Sequence, residues 1–139
     1  MPKPSLYRWF SGLFLTLLLG GCTSEVGSGT TRIAVIPKGT SHEFWKSIHA
    51  GAEKARQEIG GFEVVWRGPE RENDKSQQVD LVQNFVASGI SAIVIAPADD
   101  RALASPIAAA HQGGIPVIVI DSGVQGVPGS DYASYIATD

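Results

Sequence analysis

Ser91-Ala-Ile-Val-Ile-Ala96, closed by Pro97, and Pro116-Val-Ile-Val-Ile-Asp121 flank a segment that opens with Asp99-Asp100 and stops at Gly113-Gly114. Each outer run is short, β-branched and apolar at consecutive positions, the pattern of a strand buried on both faces. The carboxylates of Asp99-Asp100 can accept the free N–H groups of a first helical turn, so a helix is expected from there through about His111. Strand, helix and strand without a hairpin turn form a βαβ unit, and such units build parallel sheets.

The same alternation extends in both directions. Arg32-Ile-Ala-Val-Ile36 is a first strand, ended by Pro37. Thr40-Ser-His-Glu43 fits a capping box with Thr40 as N-cap. Trp45, Ile48, Ala52, Ala55 and Ile59 then recur at helical spacing as far as Gly60-Gly61. Phe62-Glu-Val-Val-Trp-Arg67 is the second strand. A second helix is predicted from about Asn73-Asp74 to Gly89, with Val79, Val82 and Val86 as its apolar stripe, flanked by Leu81 and Phe85. A loop rich in Gly, Ser and Pro over 122–133 leads to a fifth strand, Ser134-Tyr-Ile-Ala137. Right-handed crossovers make this an α/β fold, a Rossmann-like doubly wound parallel sheet covered on both faces.

The N-terminus carries a different signal. Lys3 and Arg8 precede an apolar run, Phe10-Ser-Gly-Leu-Phe-Leu-Thr-Leu-Leu-Leu19, then Gly20-Gly21 and Cys22. The run is shorter than the roughly 20 apolar residues of a membrane span. It reads as a secretory signal over residues 1–21. Leu18-Leu19-Gly20-Gly21-Cys22 also resembles a bacterial lipobox, which implies lipidation of Cys22 and attachment of the protein to a membrane face. Residues 22–31, rich in Gly, Ser and Thr, are expected to be a flexible tether, and 32–139 the folded lobe.

Of the 11 Lys and Arg, two lie in the leader, leaving 9 against 14 Asp and Glu, a formal charge of −5. An acidic domain without a basic cluster excludes nucleic acid as a partner of the usual kind. Cys22 is the single cysteine, so neither an internal disulfide nor a cysteine metal site is available. The three histidines, His42 and His49 seven residues apart at the first helix and His111 in the third, lack metal-ligand spacing, so no metal site is expected. Phosphate-binding and dinucleotide fingerprints and the Gly-x-Ser-x-Gly elbow are missing, which disfavours a cofactor or an enzyme.

Ligands of open α/β sheets bind beyond the carboxyl ends of the strands. That rule selects the loops 37–45, 67–73, 96–101 and 121–132. The first holds Lys38, Thr40, His42, Phe44 and Trp45, and the last begins Asp121-Ser122. A cation, a carboxylate, hydroxyls and aromatic rings at one mouth suit a small polyhydroxylated ligand, since ionised groups bind hydroxyls strongly and ring faces pack on C–H surfaces. Each residue also has a structural reading. Trp45 fits the buried helical stripe, Lys38 a solvated loop, and His42 a first-turn helix residue. Asp99-Asp100 read as a helix cap, and His49 and His111 as surface or core-edge residues. Asp121 ends a buried strand, where an unpaired carboxylate is costly.

At these residues the chain resembles the sugar-type periplasmic substrate-binding proteins of ABC importers. Ile33-Ala-Val-Ile-Pro-Lys-Gly-Thr-Ser-His-Glu-Phe-Trp45 is similar to that family's opening strand and ligand loop. Gly89-Ile-Ser-Ala-Ile-Val-Ile-Ala-Pro-Ala-Asp99, Gly114-Ile-Pro-Val-Ile-Val-Ile-Asp121 and Tyr135-Ile-Ala-Thr-Asp139 are similar to its later strands. The resemblance implies that Phe44 and Trp45 are the aromatic pair beside the sugar, His42 a polar contact and Asp121 the hydroxyl-binding carboxylate. Ser122 stands where ribose-type members carry Arg, and Ala96 where they carry a polar residue. The Ile-Pro-Lys opening with Asp-Ser resembles instead the branch binding rhamnose or autoinducer-2, which implies roles for Lys38 and Asp121. The family has two lobes closing on the ligand. One is present, so the chain is expected to be the N-terminal lobe and a fragment.

The implied function is a lipid-anchored extracytoplasmic solute receptor that delivers a sugar-like ligand to an ABC permease. The alternatives are a signalling receptor of the same fold and, further off, a lac-repressor-type regulator or a secreted enzyme.

Overall fold

The computed structural model describes residues 29–138, so the expected secretory signal over residues 1–21 and Cys22 lie outside the described residues. The elements alternate as β1 (Thr31–Ile36), α1 (Glu43–Ile59), β2 (Phe62–Trp66), α2 (Lys75–Ala87), β3 (Ala92–Ile95), α3 (Ala104–Gln112), β4 (Val117–Ile120) and β5 (Ser134–Ile136). All pairings are parallel, in the order β2-β1-β3-β4-β5. The order turns back between β1 and β3, the switch point beside which such sheets leave a crevice.

The register puts Ala34, Ile36, Ile93, Ile95, Val117 and Val119 on one side of the sheet, all fully buried. Val82 and Phe85 of α2 and Leu103, Ile107 and Ala110 of α3 cover them in a single apolar cluster. Each such aliphatic side chain contributes about 1.5–3 kcal/mol by leaving water, which makes this side the principal source of stability. Cover on the opposite side is incomplete. There α1 lies over Ile33, Val35 and Val64, while Val94, Ile118 and Ile120 are only half-buried and Ile136 on the β5 edge is 57% exposed. Both faces carry helices, as expected, but unequally, because α1 is the single helix of that side among the described residues.

Several local expectations also change. The N-cap of α1 is His42, whose side chain accepts from the Phe44 N–H, and not Thr40, so the helix starts later than a capping box implies. Ile59, assigned to the buried stripe, is 76% exposed at the last turn. On α2, which starts where expected and is capped by Asp74, Val86 is exposed and its place in the core is taken by Gln78 and Phe85. Asp99 accepts from the N–H groups of Arg101 and Ala102, capping a turn, whereas α3 begins at Ala104 with no side-chain cap. His49 stacks on Trp66, with ring centroids 4.5 Å apart.

Candidate functional site

A groove of about 410 Å³ opens at the carboxyl ends of the strands, lined by Lys38, His42, Phe44, Trp45, Glu72, Asn73 and Asp121. Five of the six residues singled out from the sequence thus share one mouth, and the sixth, Ser122, joins them by hydrogen bonding.

Lys38 leaves β1 just after Pro37, and Asp121 leaves β4 just after Ile120. Because β3 lies between those strands, their ends stand roughly 10 Å apart at ordinary strand spacing. The long lysine side chain closes the gap. Its Nζ lies 2.8 Å from Asp121 Oδ2 and donates to Ser122 Oγ, and Ser122 Oγ donates in turn to Asp121 Oδ2 at 3.0 Å. The pair is only partly screened, with side chains 20% and 31% exposed. Each group is so held that it still has capacity for a ligand: the ammonium has three donors and the carboxylate two acceptor oxygens.

Asp121 adopts φ 63°, and Asn73 adopts φ 62°. They are the two non-glycine residues at positive φ among the described residues, and both line the groove. Asp and Asn tolerate this conformation at the least cost of the side chains larger than hydrogen. At Asp121 the turn is held by its N–H donating to Ile136 O (3.1 Å) and by Tyr135 Oη donating to its carbonyl (3.2 Å). Strand β5 therefore aims the carboxylate of a residue that ends β4.

The two aromatics divide their work. Phe44 is 46% exposed and presents its ring to the groove, while Trp45 is 3% exposed and sits behind it, edge to face at 4.8 Å. Both readings of Trp45, core and groove wall, meet in one side chain. At His42, Nδ1 accepts from the backbone of Phe44 (3.3 Å), which leaves Nε2 as the protonated atom that can donate to a ligand. Among the described residues no group of three or more His, Cys, Asp or Glu is placed to hold a metal ion.

The model of the periplasmic binding protein domain family matches residues 33–139. The chain belongs to that family. Of the curated relatives of this periplasmic binding protein domain, a D-ribose/D-allose-binding protein of Pseudomonas aeruginosa is 38% identical over 92 residues, 66% of this chain and 29% of its own length. The ribose import binding protein RbsB of Salmonella typhimurium is 30% identical over 127 residues, 91% of this chain and 41% of its own. Among solved structures, a carbohydrate transporter solute binding protein from Agrobacterium radiobacter in complex with D-arabinose superposes with a TM-score of 0.73. It is 33% identical and covers 81% of this chain and 36% of its own. LsrB from Clostridium saccharobutylicum in complex with AI-2 gives a TM-score of 0.68 at 26% identity, over 76% of this chain and 31% of its own. The chain spans well under half the length of the curated relatives it matches.

Two residues of this periplasmic binding protein domain that shape the site do not stand out in sequence. Gln78 is fully buried, donates to Pro37 O (3.1 Å) and Ala96 O (2.8 Å), and accepts from the Ala98 N–H (2.8 Å). One side chain thus ties together the ends of β1 and β3. Its available signal was a polar residue in register with Val82 and Phe85 on the inner stripe of α2. Glu72 accepts from the Trp45 indole N–H at 3.0 Å, and nothing in its local sequence points to that contact.

Proposed function

We propose that this domain is the N-terminal lobe of an extracytoplasmic solute receptor that binds a sugar or sugar-like molecule and delivers it to an ABC permease. The observation that carries the reading is the convergence of Lys38, His42, Phe44, Trp45, Asp121 and Ser122 on one groove beyond the carboxyl ends of β1 and β4. A neutral polyol suits this mouth. Its hydroxyls can accept from the Lys38 ammonium and the His42 ring and donate to Asp121, while its C–H face packs on Phe44. Relatives named for ribose and allose, and a similar solute binding protein in complex with D-arabinose, support the ligand class.

The chemistry required is capture and release, with no bond made or broken, so the receptor is not an enzyme. A second lobe closing over the groove is the general way such a site excludes water. Cys22 supplies the anchor in this reading: acyl chains add about 0.8 kcal/mol for each buried CH₂ and hold the receptor at the membrane face.

Isothermal titration of the native gene product with D-ribose, D-allose and D-arabinose tests the ligand class. Saturable one-site binding of at least one, lost in Asp121→Ala, is expected, and no heat from any sugar with a well-folded protein sinks the proposal. Metabolic labelling with palmitate, present in the native protein and absent in Cys22→Ala, tests the anchor. A second reading, a signalling receptor, is favoured by the likeness to a structure holding AI-2. Preferential binding of that molecule over the three sugars decides for it.

A further inference from the structure

Glu72 belongs to the loop between β2 and α2, yet it is built into the ligand groove. Three contacts put it there. Asn73 N–H donates to Lys38 O at 3.0 Å, joining this loop to the one that carries Lys38. Gly39 lies under Glu72 so closely that an added Cβ would stand 3.1 Å from its Cγ and 3.3 Å from its Cα. Gly68, at the start of the same loop, comes within 2.8 Å of Pro37 Cγ on the same construction. The loop is therefore laid closely on the residues 37–40, with no room for a side chain at Gly68 and little at Gly39.

So placed, the carboxylate does two things. Through Oε1 it accepts from Trp45 Nε1, which fixes the rotation of the ring that backs Phe44. It also adds a negative charge that no cation offsets, since Glu72 makes no ion pair among the described residues while Lys38 is already paired with Asp121. Counting Lys38, Asp121 and Glu72, with His42 neutral, the groove carries a formal charge of −1. A like charge brought into a groove of this size costs binding energy, whereas a neutral polyol is not penalised.

We propose that Glu72 is the specificity-determining residue of this site: it positions Trp45 and rejects acidic sugars in favour of neutral ones. The inference rests on the sugar-binding reading above. Glu72→Gln separates the two roles, because the amide oxygen can still accept from the indole while the charge is gone. Glu72→Ala removes both.

The experiment is calorimetry on the full-length native protein and both variants with D-allose, D-ribose and D-galacturonate, together with the Trp45 indole N–H resonance assigned by Trp45→Phe. Glu72→Gln is expected to improve galacturonate binding relative to the neutral sugar at least tenfold, with the indole resonance little moved. Glu72→Ala is expected to shift that resonance and weaken the neutral sugar. Unchanged discrimination in Glu72→Gln, or an indole resonance unmoved in Glu72→Ala, overturns the assignment while leaving the sugar reading intact. If the unaltered protein binds neither neutral sugar but takes galacturonate, the assignment fails directly, and if it binds none of the three, the sugar reading fails and the assignment with it.

Discussion

Lys38 Nζ and Asp121 Oδ2 lie 2.8 Å apart although their parent strands, β1 and β4, are not neighbours in the sheet. The pair bridges the end of β3 and closes one wall of the groove. In the free protein its worth is small, less than about 1 kcal/mol, because both side chains are partly exposed to water. Its larger role is to hold two oppositely charged groups ready at one mouth.

Replacement of Asp121 by Ala in the native gene product is therefore expected to weaken sugar binding at least tenfold, about 1.4 kcal/mol, and to lower the melting temperature modestly, since Ala tolerates φ 63° less well than Asp. Lys38→Met should weaken it as well, and the double variant should lose less than the sum, since each single change leaves the partner unpaired. Titration calorimetry checks this, and unchanged affinity in folded Asp121→Ala refutes it.

Gln78 makes three hydrogen bonds at 0% exposure. Its replacement by Leu keeps the apolar volume but strands Pro37 O, Ala96 O and the Ala98 N–H. With about 1–3 kcal/mol for a buried polar group left unsatisfied, a loss of about 2–4 kcal/mol in unfolding free energy is expected. Urea denaturation of the two proteins measures it. A loss below about 1 kcal/mol would mean that water takes over the role.

Two glycines should respond oppositely to alanine. At Gly68 the new methyl would meet Pro37 Cγ at 2.8 Å and Thr40 Cγ2 at 3.0 Å, so the loop must shift, at a cost of about 1–3 kcal/mol. At Gly51, exposed within α1, nothing lies within 4 Å of the added methyl. Gly51→Ala should raise stability by about 0.5–1 kcal/mol through the lower chain entropy of the unfolded state. Thermal melts of both variants distinguish the outcomes.

Asp99 has its carboxyl pKa lowered, first by the hydrogen bond from the Ala102 N–H and then by Lys75, whose Nζ lies 3.2 Å from Oδ2. A folded pKa below the unfolded one means stabilisation that is present above the unfolded value and lost as pH falls through the folded one. The stability gap between the native protein and Asp99→Ala should accordingly be constant near neutrality and narrow on acidification below about pH 4. Urea midpoints measured across that range would show it, and a gap that widens in acid contradicts the sign.

Strand and helix identities were legible because the signals are local. Val117 to Ile120 can hardly be anything but a buried strand, and Asp74 caps α2 where a short acidic residue precedes the first turn. Boundaries were less legible where two residues competed for one task. Both Thr40 and His42 can cap α1, and the backbone path from Pro37 gives the position to His42. The inner stripe of α2 misled for a related reason: Val86 satisfies the spacing, but α3 crosses so that Phe85 and Gln78 point inward.

The amino-acid sequence by itself determined the α/β alternation, the loops that carry the site and most of the side chains in it, since periodicity and strand-end chemistry act within a few residues of each position. Tertiary structure alone decided that Lys38 meets Asp121, that Gln78 ties Pro37 to Ala96, and that Glu72 stands behind Trp45. Those partners are 83, 41, 18 and 27 residues apart or differ in element altogether, and such distances in sequence are bridged only when the parallel register and the burial of one sheet face bring the loops to a common edge.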